Sequence, residues 1–545
     1  MLDAGPVAGN GENPEAPASL DTGRLVMSKP RPMPAERTLT GLWDRAVARS
    51  PQAIFLIFTD DTETAQWTYA EFDLVIDAMC ATLLAHGVGH GDAVHVALRN
   101  SPAFVAVWLA AARIGSWIVP VDPASTSRDL HGHFPRIRPA LGCCAVSRRD
   151  VYRGPADSHG VPVLEFSETA ADVGSPDKIG GLPRTDVQPD DRLAVMFTSG
   201  TTSQPKGVIL TQACYATAGR VMADAANLSY EHRWLVSLPL FHANAQYYCF
   251  APAITVGASI ALTATFSASR WIQAAHDLGA THASLFAAPI RMILARTPVN
   301  APKLALHHVW FAQSLGAKHH QQFGRLVGVL PRQLYGMTET VAIVTADDSE
   351  PPRSDIIGRP VANRKVRLID TTTGEEVVPG TPGMITVGGR RGHDLFSGYL
   401  DDPATTDRAF VERPEGTWFS TGDLAVTDAT GRMRFVGRAD DVIKVAGENV
   451  SLTEVEAAIA QAPGVLEAAV IARPDPIRDH VPIAFVVALA GSAPTIADLA
   501  TWAEHELPPS ARPREWHFIG ELPRTSVGKI QRHALHLPPA PPTPP

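Results

Sequence analysis

Short apolar runs alternate with longer amphipathic segments along most of the chain. Residues 93–98 (AVHVAL) and 117–121 (WIVPV) are apolar runs, and residues 103–113 between them place apolar side chains at helical spacing. Uninterrupted apolar strands separated by helices are typical of parallel sheets whose two faces are covered. The pattern therefore predicts the α/β fold class.

The pattern changes near residue 440, where we place a domain boundary. A strand-like run at residues 433–436 precedes the charged turn of Arg438, Asp440 and Asp441, and a helical pattern follows at residues 453–461. Further strand-like runs at residues 468–471 and 483–487 suffice for a small α/β domain. A chain of 545 residues also exceeds what one hydrophobic core serves. We predict a large domain over residues 37–439 and a small domain over residues 440–537.

The two ends of the chain differ in composition from the rest. Residues 1–36 are rich in Pro, Gly, Ala and acidic residues, and residues 538–545 are nearly all proline. Such segments bury too little apolar surface to fold, so we predict a disordered N-terminal extension and a Pro-rich tail. Acidic residues precede any apolar run at the N-terminus, and no apolar segment reaches membrane-spanning length, so we expect neither a secretory signal nor a membrane partner.

The charge and the cysteine content limit the partners and the cellular compartment that we expect. The formal net charge of −9 gives no general attraction to phosphate backbones, so we expect no nucleic-acid partner. The five cysteines lack metal-ligand spacing, and the adjacent Cys143 and Cys144 are poorly placed for a disulfide framework. We predict buried, reduced thiols and a cytoplasmic protein.

Residues 198–207, TSGTTSQPKG, form the most distinctive segment. Small hydroxyl residues and glycines let backbone N–H groups approach phosphate oxygens, and Lys206 adds a mobile positive charge for the β- and γ-phosphates. The segment is not a P-loop, because Lys206 stands between Pro205 and Gly207 rather than at the start of a helix. It predicts an ATP site, with a plain Ser/Thr/Gly-rich surface loop as the alternative. The candidate phosphate-binding residues are Thr198, Ser199, Gly200, Thr201, Thr202 and Lys206.

Four further segments follow in order: YGMTE at residues 335–339, STGD at 420–423, GRADD at 437–441 and PRTSVGK at 523–529. Together with the phosphate loop they resemble the adenylate-forming superfamily of acyl-CoA synthetases, adenylation domains and luciferases. The resemblance covers residues 37–537 and is specific because all the motifs coincide in order. It implies a large multi-sheet adenylate-forming domain followed by a small, mobile α/β C-terminal domain.

The resemblance also implies roles for the motif residues at the nucleotide. Attack of a carboxylate on the α-phosphate requires both negative groups to be neutralised. Thr338 is implied at the α-phosphate and Glu339 at Mg²⁺, a hard cation that prefers oxygen ligands. Tyr335 is implied to stack on adenine, beside Gly336, Gly316 and Ala317. Asp423 is an acceptor that suits the paired hydroxyls of ribose, and Arg438 is implied at ribose or phosphate; without the family, both would be surface ion-pair residues.

The C-terminal motifs imply a domain rotation. Lys529 lies more than 300 residues from the phosphate loop, so it reaches the nucleotide only by domain closure. By resemblance Lys529 enters the site for adenylation and leaves for the second half-reaction, with Asp440 as the hinge. Lys444 and Gly447 are implied to border the CoA channel.

Residues 241–244 (FHAN) are predicted to begin a helix that lines the carboxylate pocket. By resemblance, amino-acid-activating relatives carry Asp at the position of His242, so its absence argues against α-amino acids. His242 matches the acyl- and aryl-CoA ligase pattern, at the acid and the thiol tunnel, with a structural histidine as the alternative. Phe241, Tyr247, Phe286 and Val341 are candidate apolar walls and Asn244 and Gln246 candidate polar contacts, although each of these can equally be a core residue.

Two departures from the family pattern put details in doubt. Ser203 stands where relatives usually have Gly, which stiffens the phosphate loop because Ser lacks free access to positive φ. Residues 315–318 read Leu-Gly-Ala-Lys where many relatives have Gly-Gly-Ala-Pro. By resemblance this segment borders the adenine and acid pockets, so the departure leaves the identity of the substrate open.

We therefore predict an ATP-dependent ligase that joins a small carboxylic acid to CoA through an acyl-adenylate. ATP, Mg²⁺ and CoA are the expected cofactor and co-substrates. One alternative keeps the adenylation but uses another acceptor: a carrier-protein thiol, an amine, or nitrite in a diazotising reaction. Another is a catalytically silent nucleotide-binding protein, against which the joint presence of Lys206, Glu339, Asp423 and Lys529 speaks. The sequence leaves the oligomeric state open.

Overall fold

The computed structural model describes residues 36–174, 185–198, 205–298, 300–361, 364–489, 491–524 and 530–535. The Pro-rich tail, residues 1–35 of the N-terminal extension, most of the phosphate loop (199–204) and Lys529 lie outside these ranges. The account of the fold below concerns the described residues.

The described residues contain 26 strands. In chain order they are β1 Ile54–Thr59, β2 Thr64–Thr68, β3 Ala93–Ala97, β4 Trp117–Pro120, β5 Leu141–Ala145, β6 Val163–Phe166, β7 Arg192–Thr198, β8 Lys206–Thr211, β9 Arg233–Val236, β10 Ser259–Thr263, β11 His282–Phe286, β12 His308–Ala312, β13 Arg332–Tyr335, β14 Thr345–Ala346, β15 Arg359–Pro360, β16 Lys365–Ile369, β17 Gly383–Gly388, β18 Gly398–Tyr399, β19 Phe410–Arg413, β20 Gly416–Thr427, β21 Met433–Arg438, β22 Val442–Val445, β23 Glu448–Ser451, β24 Val465–Asp475, β25 Asp479–Ala488 and β26 Glu515–Phe518.

The same residues contain 13 α-helices. They are α1 Leu39–Arg49, α2 Tyr69–Ala85, α3 Pro102–Ile114, α4 Ser127–Ile137, α5 Arg149–Ser158, α6 Gln212–Ala225, α7 Ala251–Val256, α8 Trp271–Asp277, α9 Ala287–Arg296, α10 Ala317–Val327, α11 Pro403–Ala409, α12 Leu452–Ile459 and α13 Ile496–Glu506. A π-helix spans Asn244–Phe250, and short 3₁₀ turns include Thr338–Thr340 and Ala439–Asp441.

Two large sheets form the body of the protein. The first has nine strands in the order β15-β14-β13-β12-β11-β9-β10-β1-β2, and the run from β13 to β1 is parallel. The second has seven strands in the order β18-β8-β7-β4-β3-β5-β6, with a parallel centre. Strand β3 is buried at every position, as expected for a parallel strand covered on both faces.

Two five-stranded sheets complete the fold. One has the order β16-β17-β20-β19, with β21 paired to β20. The other has the order β23-β22-β25-β24, with β26 paired to β25, and it lies wholly within residues 442–518. Its own hydrophobic core includes Val455, Ile459, Val470 and Val486. The α/β fold class, with large N-terminal sheets and a smaller C-terminal domain, is confirmed. The boundary at residue 440 stays a prediction.

Helix α3 illustrates how local sequence determines an element. Ser101 caps its start by accepting a hydrogen bond from the Phe104 N–H, and Pro102 occupies the first turn, where its missing N–H costs nothing. Gly115 ends the helix in the left-handed conformation with φ of 75°. The predicted helix at residues 103–113 thus lies inside α3, and the predicted strand runs at 93–98 and 117–121 contain β3 and β4.

Candidate active site

Three of the candidate segments leave the same edge of the nine-stranded sheet. Strands β9, β11, β12 and β13 are parallel neighbours, so their carboxyl ends lie along one edge. The segment of His242 follows β9, Gly316 follows β12 and Tyr335 ends β13. Ligands of open α/β sheets bind at such an edge. The topology therefore brings the predicted acid and adenine residues into one region.

The two ends of the phosphate loop lie on adjacent antiparallel strands. Thr198 ends β7, Lys206 begins β8, and the two residues are register partners. Strand β18 extends the sheet on the other side of β8, where the Leu400 N–H donates to the Gly207 carbonyl at 2.7 Å. The candidates Ser199, Gly200, Thr201 and Thr202, and the departure Ser203, lie outside the described residues.

A tyrosine connects Lys206 to Glu339. The Lys206 Nζ lies 5.3 Å from the centroid of the Tyr399 ring. The Tyr399 hydroxyl donates to Oε1 of Glu339 at 3.1 Å, and the Glu339 side chain is buried with 4% exposure. Burial and the neighbouring Glu339 carboxylate raise the pKa of Tyr399, so its hydroxyl stays a donor. The predicted phosphate cation and the predicted metal carboxylate thus contact the same side chain.

A second contact chain joins Tyr335, Asp423 and Arg438. The Tyr335 hydroxyl donates to Oδ2 of Asp423 at 2.7 Å, and Nη1 of Arg438 lies 3.6 Å from Oδ1 of the same carboxylate. Asp423 and Arg438 are register partners on β20 and β21. Burial, and next the Asp423 carboxylate, raise the pKa of Tyr335. Tyr335, Asp423 and Arg438 therefore form one unit, while the stacking of adenine on Tyr335 stays a prediction.

Gly336 permits a close approach at the centre of this edge. A Cβ at this position would lie 2.7 Å from the Tyr248 hydroxyl and 3.2 Å from the Ile343 Cα. A side chain there would force the π-helix and the segment after Glu339 apart, so glycine is required for packing. Thr338, two residues later, is half-buried and starts the 3₁₀ turn that carries Glu339.

Val341 adopts a strained backbone directly after that turn. Its φ of 67° and ψ of −61° are those of a γ-turn, and the Ala342 N–H donates to the Thr340 carbonyl at 2.7 Å. A β-branched residue at positive φ is an outlier that costs on the order of 1–3 kcal/mol. Arg364 holds the turn by donating to the Thr340 carbonyl at 2.6 Å. Val341 is fully buried, and its role as a pocket wall stays a prediction.

The predicted acid-pocket helix begins as a π-helix at Asn244, a form that is frequent at functional sites. Asn244 Nδ2 donates to Ser284 Oγ on β11 at 2.9 Å, and among the described residues its Oδ1 lacks a hydrogen-bond partner. The rings of Phe241 and His242 lie 4.4 Å apart, with Phe241 buried and His242 half-buried. The start of this helix therefore presents an open acceptor beside the candidate histidine.

Two other acid-pocket candidates occupy core positions. Tyr247 is fully buried, with its ring edge-on to Tyr215 at 4.9 Å. Gln246 accepts from the Tyr215 hydroxyl at 2.5 Å and donates to the Leu240 carbonyl at 2.6 Å, so both ends of its amide are used within the fold. Tyr248, which is not among the candidates from the sequence, has its hydroxyl beside Gly336.

Gly316 and Ala317 lie where the large sheet meets the C-terminal part of the chain. Gly316 caps α10, and a Cβ on it would come within 2.6 Å of the Gln461 side chain, just after α12. Leu315 is buried, whereas Ala317 and Lys318 are exposed. A side chain at Gly316 would have to displace the exposed Gln461 side chain.

The remaining candidates belong to the C-terminal part of the chain, which contains the sheet of strands β22 to β26. Lys444 on β22 and Gly447 in the following turn are exposed, and Gly447 has φ of 87°. Asp440 is exposed in the turn between β21 and β22. Lys529 lies outside the described residues; before it, Arg524 forms an ion pair with Glu467, and after it, Arg532 pairs with Glu456 and Asp441. The CoA channel, the hinge and the entry of Lys529 stay predictions.

The residues present fit a magnesium ion that is shared with phosphates. Glu339 offers a buried carboxylate that contacts the same tyrosine, Tyr399, as Lys206. Within the described ranges no group of three or more His, Cys, Asp or Glu could hold a metal alone. Mg²⁺ is commonly bound through one or two carboxylates and substrate phosphates rather than by an all-protein cage. Glu339 is thus a suitable protein ligand for a nucleotide-bound cation.

The cysteines and helices bear on the predicted setting. All five cysteines are free and buried, and burial raises the pKa of Cys214 to about 11 and of Cys80 to about 12. These thiols are therefore poor nucleophiles. No described helix is both long and apolar enough to cross a membrane.

Two family models match the chain and show the family to which it belongs. Residues 43–400 match the AMP-binding enzyme family and residues 454–529 match the AMP-binding enzyme C-terminal domain. The chain belongs to this family, within the adenylate-forming superfamily, and is of the AMP-forming acyl-CoA synthetase type.

Individual relatives cover nearly the whole chain. The chain is 28% identical to a crotonobetaine/carnitine–CoA ligase of Salmonella arizonae, over 91% of this chain and 98% of that protein. It is 30% identical to the 4-coumarate–CoA ligase CCL1 of Humulus lupulus, over 86% and 88% of the two chains. Among solved structures, the anthranilate CoA ligase AuaEII in complex with anthranoyl-AMP superposes with a TM-score of 0.83 at 20% identity, covering 93% of this chain and 98% of that one.

Proposed function

We propose that this enzyme activates a small carboxylic acid with ATP as an acyl-adenylate, releases pyrophosphate, and transfers the acyl group to CoA with release of AMP. The observation that carries the proposal is a pair of contact chains, one at Tyr335 at the end of β13 and one at Glu339 just after it. Lys206, Tyr399 and Glu339 form a phosphate end, and Tyr335, Asp423 and Arg438 form a ribose end. The relatives, which are CoA ligases, support the choice of acceptor.

In the first half-reaction one carboxylate oxygen attacks the α-phosphorus, and the bond from that phosphorus to pyrophosphate breaks. Lys206 neutralises the β- and γ-phosphates, Thr338 contacts the α-phosphate and Asp423 holds the ribose. Mg²⁺, held through Glu339, supplies further positive charge at the phosphates. Lys529 bridges the α-phosphate and the carboxylate, as one oriented donor at the place where charge develops.

In the second half-reaction the CoA sulfur, after loss of its proton, attacks the acyl carbon and the bond to the AMP oxygen breaks. His242 borders the acid and the incoming thiol, and Lys444 and Gly447 border the pantetheine channel. This step uses a second pose, in which residues 440–537 have rotated about Asp440 relative to residues 37–439. Five buried, free cysteines support a reducing, cytoplasmic setting.

An assay of pyrophosphate release tests the proposal. Pyrophosphate is measured with ATP, Mg²⁺ and a panel of small carboxylic acids, with and without CoA. We expect slow release without CoA, limited by a bound adenylate, and continuous release with CoA for the correct acid. If activity requires a carrier protein, an amine or nitrite instead of CoA, the assignment of CoA as the acceptor is wrong. Tight ATP binding without release for any acid would contradict the enzyme assignment.

The acid pocket is expected to discriminate against free α-amino acids, because His242 offers no carboxylate to pair with an ammonium group. Replacing His242 with aspartate alone is expected not to rescue them, since several pocket contacts determine specificity. ATP–pyrophosphate exchange with the twenty amino acids measures both points. Efficient exchange by the parent enzyme with an ordinary L-amino acid would overturn this reading.

Tyr248 is expected to limit the size of the acid. Its hydroxyl reaches Gly336, and only 6% of the residue is exposed. Tyr248→Ala removes a large ring at this position, so longer acids should gain in kcat/KM relative to the parent's best substrate, by about tenfold or more for the space of one or two methylenes. Competition between a short and a long acid measures the ratio. An unchanged preference would place Tyr248 outside the pocket.

A further inference from the structure

Tyr399 contacts two candidate active-site residues but lies in none of the motifs that identify the site. Its ring lies under the Lys206 ammonium, and its hydroxyl donates to the Glu339 carboxylate. Lys206 starts β8 after the phosphate loop, whereas Glu339 follows β13 in the other large sheet. Tyr399 is thus a direct bridge between the two sheets at the phosphate end of the site.

The backbone around Tyr399 fixes the position of its ring. Tyr399 pairs with Val208 in the β18–β8 ladder, so it sits beside the strand that begins with Lys206. Its N–H donates to Thr406 Oγ1 at 2.9 Å, and its ring packs 4.8 Å from Phe396. With 9% exposure, the side chain has little freedom to leave this position. A buried tyrosine with a fixed ring holds its hydroxyl in one direction.

The hydroxyl restricts the Glu339 carboxylate. It donates to Oε1 at 3.1 Å, and an ionised carboxylate accepts through two oxygens, so this bond uses only part of its acceptor capacity. The tyrosine hydroxyl is the donor of this pair, because an ionised carboxylate only accepts hydrogen bonds. A buried carboxylate that loses its donor turns more freely and is solvated less well. The bond therefore fixes Glu339 before a cation arrives.

The ring acts on Lys206 by a different force. A lysine ammonium within about 6 Å of an aromatic centroid is attracted to the face of the ring. Here the distance is 5.3 Å, and the backbone of Lys206 is held by the pairing of β8 with β7 and β18. The ring therefore holds the flexible lysine stem near Glu339, where phosphates and a cation would meet.

We propose that Tyr399 is a positioning residue that fixes the Glu339 carboxylate with its hydroxyl and the Lys206 ammonium with its ring, so that metal and triphosphate bind as one unit. The proposal rests on the nucleotide site of the proposed function. The two parts of the side chain have different roles. The hydroxyl positions Glu339 for the metal, and the ring positions Lys206 for the phosphates.

Nucleotide binding separates the two parts without any acid or turnover. Calorimetry measures the affinity for α,β-methylene-ATP, which cannot release pyrophosphate, in EDTA and across a range of Mg²⁺ concentrations. Tyr399→Phe keeps the ring, so it should bind the metal-free nucleotide like the parent but lose about tenfold of the affinity gained with Mg²⁺. Tyr399→Leu should also lose about threefold in EDTA, the scale of one cation–π contact.

A matched control uses another tyrosine. Tyr230 is 58% exposed and lies outside the candidate segments, so Tyr230→Phe should match the parent in both conditions. Equal magnesium dependence in Tyr399→Phe and the parent would overturn the role of the hydroxyl, and equal metal-free affinity in Tyr399→Leu and Tyr399→Phe would overturn that of the ring. If the parent binds as described but releases no pyrophosphate with any acid, the proposed function fails while the role of Tyr399 stands.

Discussion

Lys529→Ala is expected to cut acyl-adenylate formation by about a hundredfold or more, the scale for removing one oriented donor to developing charge. Transfer from preformed acyl-adenylate to CoA should continue near the parent rate. In the proposed mechanism, Lys529 contacts the α-phosphate and the carboxylate only in the closed pose. Its flanking residues Arg524 and Arg532 are held to Glu467 and Glu456, so the substitution removes an ammonium without removing these anchors.

The two half-reactions are measured separately, as ATP-dependent pyrophosphate release and as acyl-CoA formation from synthetic acyl-adenylate. Lys303→Ala provides the control, because Lys303 is exposed and lies outside every motif. That variant should match the parent in both assays. Equal losses in both half-reactions for Lys529→Ala would mean that Lys529 supports the fold or a shared pose, and the domain alternation would be wrong.

Asp423→Ala should weaken binding of ATP and of the acyl-adenylate together, by about 1.5–3 kcal/mol for a lost hydrogen bond to a charged group, or roughly ten- to 150-fold. Asp423 is 6% exposed, and its carboxylate already contacts Tyr335 and Arg438. The substitution therefore removes the ribose acceptor and also leaves the Tyr335 hydroxyl without its partner. Both ligands should be affected because both carry the same ribose.

Calorimetry with ATP and with a non-reactive adenylate analogue measures this effect. Asp423→Asn, which retains one acceptor oxygen, should lose less than Asp423→Ala. Asp407→Ala on the exposed helix α11 is the matched control and should bind like the parent. A nucleotide affinity unchanged by Asp423→Ala would exclude the ribose role.

The large elements of the fold were predictable because their signals are local. The apolar run of β3 and the capped helix α3 each appear as continuous segments, and Gly115 marks the end of α3. The predicted helix at residues 453–461 overlaps α12, which begins at Leu452 and ends at Ile459. The assembly of four separate sheets was not predictable, since it depends on pairings such as β18 with β8 that join distant segments.

The motifs name candidate members of the site but not the residue that connects two of them, Tyr399. Tyr399 follows Gly398 in a two-residue strand and reads as an ordinary apolar position. The available signal was general: a buried tyrosine needs a partner for its hydroxyl, and the chain has only eight tyrosines. That Glu339 is the partner follows from tertiary structure, because 60 residues separate the two.

The acid-pocket segment shows what the sequence does not specify. The sequence predicts that a helix begins at residues 241–244, and the structure has a π-helix over Asn244–Phe250, a form that the apolar pattern alone does not distinguish from an α-helix. Within it the Tyr248 hydroxyl lies beside Gly336, while Tyr247 packs on Tyr215. The role of Tyr247 as a pocket wall stays a prediction.

Oxygen transfer tests the central claim, the formation of an acyl-adenylate by attack of the carboxylate on the α-phosphorus. The acid is supplied with ¹⁸O in both carboxylate oxygens, together with ATP, Mg²⁺ and CoA, and the products are analysed by mass spectrometry. Adenylation predicts one ¹⁸O in AMP and none in pyrophosphate, because the bridging oxygen of the anhydride leaves with AMP when the thiol attacks. Unlabelled AMP, or label in inorganic phosphate, would contradict the account.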